Sequence, residues 1–219
     1  MSATLEIIPT EIDSNVTFGN VIKLAEQTII EYLSGLGMKM DVHIKVHISD
    51  LSEQYTMDIQ NDDKFVWKAS EFALFTINNI DSGVEAYCER ISDTLAYWEN
   101  YIADVCGNTI NAQQISVIKT NNLKWYFRRA AGKSALVSLA YGHLAAATAT
   151  LTKGIIHTKN DWDPALFPTR APEFLDAYFK PEKTAHALSK KIAEKSIHDF
   201  RQSAIGKKAI ADFVSAKPI

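Results

Sequence analysis

The chain has 219 residues, 47% of them hydrophobic and 22% charged, with a net charge of −3. That length and composition suit a globular chain with a core of its own, and they exclude disulfide-stapled and low-complexity classes. A sequence pI near 6.1 argues against a dedicated nucleic-acid binder.

The charge is unevenly spread. Residues 1–110 hold 6 basic and 18 acidic side chains, and residues 111–219 hold 17 and 8, giving −12 and +9. Such halves attract each other or suit different partners. No basic leader followed by an apolar run opens the chain, so no secretory signal is expected. The most apolar stretch, Ala135–Leu151, carries Ser138, His143, Thr148 and Thr150 and reads as a buried helix, not a membrane span. Cys88 and Cys106 make no disulfide framework and point to a reducing cytoplasm.

Residues 4–8 read as a short strand. From Val16 to Leu36, Phe18, Val21, Ile22, Ala25, Ile29, Tyr32 and Leu33 recur at helical spacing, and Gly35 or Gly37 ends the run. Met38, Met40, Val42, Ile44, Val46 and Ile48 then alternate with Lys39, Asp41, His43, Lys45 and His47. Period-2 alternation of this length predicts a strand with one wet face, in an antiparallel sheet. Tyr55, Met57 and Ile59 continue it, residues 61–64 turn, and 65–69 and 72–77 are expected to add strands, with a helix capped by Ser70 as the alternative for the second. From Asp81 the period changes. Val84, Tyr87, Cys88, Ile91, Leu95, Trp98, Ile102 and Val105 fit a long amphipathic helix. Residues 113–152 read as helical with one or two interruptions, and 154–172 as a loop. Helices are expected at roughly 181–202 and 204–215, with Pro172 and Pro181 in first turns. The fold class is therefore α+β: a small antiparallel sheet with one helix over 1–80, followed by a larger helical region over 81–219. The two units are compatible with one continuous body.

Gly132, Lys133 and Ser134 resemble the end of a phosphate loop, but Phe127 stands where the loop needs its first glycine. Residues 122–131 also read as helical. Lys119, Lys124, Arg128, Arg129 and Lys133 surround Trp125 and Tyr126, as a single-strand nucleic-acid groove requires. On a helix, however, Trp125 and Arg129 stack locally at i,i+4. His43 and His47 share a strand face about 13 Å apart, too far for one metal ion. No metal site and no cofactor are expected. His143 stands alone in an otherwise apolar helix, which marks it as a buried base, a switch or a satisfied core histidine. The loop 157–174 combines Trp162 with Asp161, Asp163 and Arg170 and offers a binding surface.

Three functions follow from this reading. The first is a cytoplasmic, non-enzymatic protein-interaction module of bacterial immunity or antitoxin type. Its expected contacts are Asp62, Asp63, His43, Lys45, His47 and Trp162, its partner another protein or a basic macromolecule, and homo-oligomers are allowed. The second is a small-molecule enzyme or binding protein using Arg128, Arg129, Tyr141 and His143. The third is a nucleic-acid accessory protein using the basic half.

Overall fold

A computed structural model describes residues 3–11, 15–50, 52, 56–80, 82–94, 110–130, 132–158, 167–184 and 186–216. Its strands are β1 (Ala3–Ile8), β2 (Ile44–Asp50), β3 (Thr56–Asp58), β4 (Glu71–Ile77), β5 (Gly83–Arg90), β6 (Leu123–Arg129) and β7 (Ile155–His157). Its helices are α1 (Phe18–Gly35), α2 (Ala112–Asn121), α3 (Ala135–Leu151), α4 (Ala171–Ala177), α5 (Ala187–Gln202) and α6 (Ala204–Ser215), with one further helical turn at Ile91–Thr94.

The strands form one antiparallel sheet in the order β3-β2-β4-β5-β6-β1-β7. Alternation decides its faces. Ala73, Phe75 and Ile77 of β4, Val84, Ala86 and Cys88 of β5, and Trp125 and Phe127 of β6 are buried, with their partners in register. This inner face packs against α3, and β2 packs against α1. The other face presents Glu85, Tyr87, Tyr126 and Arg128 in cross-strand pairs.

Local chemistry sets the helix bounds. Thr17 caps α1 by accepting the Asn20 amide at 3.2 Å, and Asn20 completes a capping box. Past its end, Gly37 takes φ +75°, which favours glycine. Helix α3 is buried from Ala135 to Ala149. It contacts the sheet, α1, α4 and α5, so it has no wet side, and an all-round apolar sequence follows. Small residues allow the close approach: a Cβ on Gly142 would stand 2.1 Å from Tyr178 Cε1.

The structure corrects five expectations. Residues 83–90 are β5, not the start of a helix, so Cys88 is buried on a strand; the continuation through Cys106 lies outside the described residues. Residues 123–129 are β6, not helix. Residues 65–69 form no strand, and the 38–48 strand begins only at Ile44, because Met38 and Val42 enter the core from an irregular connection. Helix α5 begins at Ala187, so Pro181 belongs to a turn outside it. The sheet also crosses the 80/81 boundary: β1, from the first unit, lies between β6 and β7 of the second.

Candidate functional site

Two polar groups on apolar helices find each other. Thr28 lies on α1 and His143 on α3, and the His143 ring nitrogen Nδ1 stands 2.8 Å from Thr28 Oγ1. Thr28 Oγ1 donates its single proton to the Ala25 carbonyl at 3.1 Å. While that bond holds, the hydroxyl accepts from the ring: Nδ1 then carries the hydrogen and Nε2 is an acceptor. Nε2 has no hydrogen-bond partner among the described residues.

His143 is only 4% exposed. Burial, with Lys180 nearby adding to it, pushes the imidazole down to about 3, so the ring is neutral at neutral pH. The edges of Tyr32 and Tyr178 flank it, at 6.0 Å and 6.3 Å between centroids. Both phenols are spent elsewhere: Tyr32 donates to the Phe179 carbonyl at 2.7 Å and Tyr178 to the Ser138 carbonyl at 2.6 Å. Burial, and next Glu182, holds the Tyr32 hydroxyl well above its ordinary range.

His143 lines a cleft of about 410 Å³. Helix α1 contributes Thr28, Glu31 and Tyr32 to it. Leu175 comes from α4, and Lys180 and Glu182 from the turn that follows. Lys180 Nζ lies 3.7 Å from Asp176 Oδ1, an oxygen that Lys183 holds more closely. Glu31 accepts from Gln27 Nε2 at 3.0 Å, a neutral donor that leaves its charge in place.

The other residues expected to join His143 lie elsewhere. Arg128 faces outward on β6, with NH1 3.7 Å from Glu85 Oε2. Arg129 is on the opposite face of the same strand, its guanidinium carbon 5.5 Å from the Tyr141 ring centroid. Tyr141 is fully buried in α3, so its contact with Arg129 replaces the expected Trp125–Arg129 stack. Trp125 instead donates to the Phe65 carbonyl at 3.1 Å. The alternative of a basic groove loses Lys124, which is buried against Glu6 and Glu89, at 3.1 Å and 3.7 Å. A strand does lead into the Gly132–Ser134 stretch, contrary to expectation, but Phe127, where a phosphate loop needs its first glycine, is a buried β6 residue.

The expected partner contacts are also dispersed. Asp62 is exposed, whereas the Asp63 carboxylate accepts the Gln60 amide at 2.8 Å and its carbonyl accepts the Phe18 amide at 3.0 Å. Asp63 thus holds a turn against the start of α1. His43 and Lys45 are exposed beside the Asn78–Asn79 turn, and Lys45 Nζ donates to Asn79 at 3.2 Å. His47 sits opposite Leu74 and Asp58 on the outer sheet face. Trp162 lies outside the described residues.

Among the described residues no group of three or more His, Cys, Asp or Glu is placed to hold a metal ion, and no helix is long and apolar enough to cross a membrane. No protein-family model matches the chain, and no curated protein or solved structure matches it.

Proposed function

We infer that the protein binds a small ligand in the cleft over His143, and that it binds without catalysing. One observation carries this reading: a buried histidine whose Nδ1 is tied to Thr28 lines the cleft with Nε2 unpartnered. A ligand donor entering the cleft would find Nε2 free to accept. A ring with a pKa near 3 is a weak general base at neutral pH but a sound hydrogen-bond acceptor.

Gly35 provides the test. It lines the cleft, and a Cβ there would meet no atom within 4 Å. Gly35→Leu should therefore fill the cleft without disturbing the fold. A screen of cationic, neutral and anionic fragments, read by amide NMR shifts, should find binders that move Thr28, Tyr32 and His143 and that Gly35→Leu excludes. Binders that ignore Gly35→Leu, or no binders at all, would overturn the reading.

A second reading keeps the interaction module of immunity or antitoxin type. Its support is the pair α5 and α6, where Leu188 and Ile192 remain 57% and 40% exposed beside Lys190, Lys191 and Lys195. Apolar side chains flanked by cations suit an acidic protein surface. Affinity capture with the α5 variant Leu188→Ser/Ile192→Ser as control tests it: a stoichiometric partner lost in the variant is the expected result. A cytoplasmic setting goes with both readings.

A further inference from the structure

The charged groups around the cleft narrow the ligand class. Resting on the reading above, we propose that the cleft takes a small organic ammonium ion with an apolar body. The ammonium sits between the Glu31 and Glu182 carboxylates, and a donor of the ligand reaches His143 Nε2.

The first argument is the balance of donors and acceptors. The groups lining the cleft with hydrogen-bonding capacity to spare are mainly acceptors: the Glu31 and Glu182 carboxylates and His143 Nε2. Neither carboxylate is ion-paired among the described residues. The hydroxyls that would donate are already engaged, Thr28 with Ala25 and Tyr32 with Phe179. Among the described residues, Lys180 is the one cation lining the cleft against two carboxylates, and it shares Asp176 with Lys183. A ligand rich in donors therefore fits, and a second anion does not.

The second argument is the state of the histidine. An imidazolium at the floor would repel a cation. Here the ring is buried and uncharged, and with Nδ1 donating to Thr28 it offers the Nε2 lone pair to the ligand without opposing its charge. The third argument is the wall. Leu36, Leu175 and Pro181 line the cleft with the ring of Tyr32, which its hydroxyl bond to Phe179 holds in place. Such a wall accepts an apolar chain or ring, and a fixed aromatic face also favours a nearby cation.

Three probes of one shape test this: phenethylamine, 2-phenylethanol and phenylacetate, titrated into the full chain with amide NMR and calorimetry. Phenethylamine should bind about tenfold more tightly than the alcohol, the size of one charge-assisted hydrogen bond, with phenylacetate weakest. Both glutamates are surface residues, so Glu31→Gln/Glu182→Gln should fold normally. That variant should erase the amine preference and leave the alcohol unchanged. An amine preference that survives the double substitution would sink the proposal. So would phenylacetate binding more tightly than the amine, or no binding by any of the three. Binding of another ligand class that Gly35→Leu still blocks would refute the ammonium assignment alone and leave the cleft as the binding site.

Discussion

His143 joins local chemistry to the stability of the whole chain. Unfolded, its imidazole titrates near the ordinary value of 6.5, and folded it titrates near 3. Between those values the unfolded chain binds a proton that the folded chain refuses. Stability therefore rises with pH across this window, and is lost as pH falls from 6.5 toward 3, by about 1.4 kcal/mol per pH unit. Urea titrations at successive pH values should show this slope in the wild type. His143→Gln cannot titrate, so its stability should change less over the same range, even where it is lower at neutral pH. Equal slopes would mean the ring is charged in the fold. Thr28→Val asks a narrower question. It keeps shape but leaves Nδ1–H without an acceptor inside the protein, at a cost of about 1–3 kcal/mol in the same assay. A neutral outcome would show that the Thr28 hydroxyl does not hold the ring in place.

The sheet depends on a buried ion pair between elements. Lys124 on β6 is 2% exposed, with Glu6 of β1 at 3.1 Å and Glu89 of β5 at 3.7 Å. Such a group adds little net stability while intact, yet removing one partner strands a charge. Lys124→Met should cost about 3–5 kcal/mol in chemical denaturation, and adding Glu6→Gln should recover part of it. Additive losses would show that the two side chains do not depend on each other. The same strands explain what was legible in the sequence. In α1 one apolar stripe meets one buried face, so spacing alone located it. In β5 the buried residues are Val84, Ala86 and Cys88, but alanine is a weak marker. Selecting Val84, Tyr87, Cys88 and Ile91 instead produces a helical period. In β6 Trp125 and Phe127 face the core while Tyr126 stacks on Tyr87 at 4.5 Å outside, and aromatic residues on both faces hide the alternation. Of the cleft, His143 was legible because it stood alone in an apolar helix. Thr28, a polar residue on α1 beside the apolar stripe, was an available signal that went unused. Lys180 and Glu182 carried none, since a turn between helices brings them to the cleft.

At the scale of the molecule, the acidic and basic halves meet. Lys124 with Glu6, Arg128 with Glu85 and Lys153 with Glu11 each join a residue before 110 to one after 111. The sheet makes the same connection more strongly. Strand β1 has β6 and β7 as neighbours, and β4 has β5, so residues 1–80 alone would leave β1 without partners and β4 with a bare edge. An exposed edge and an uncovered apolar face cannot sustain a stable unit. The isolated segment 1–80 should therefore be unfolded by circular dichroism, and the full chain should unfold in a single transition. Two tryptophans allow that to be read from both halves. Trp67 and Trp125 are buried, and both rings pack on Phe65, at 5.3 Å and 5.8 Å between centroids. Trp125 also donates to the Phe65 carbonyl, across the boundary between the units. Variants that keep only Trp67 or only Trp125, with the other tryptophans changed to phenylalanine, should each give one fluorescence midpoint that coincides with their own loss of circular dichroism. A Trp67 midpoint separated from the circular-dichroism midpoint, or a folded 1–80 segment, would show two independently stable units.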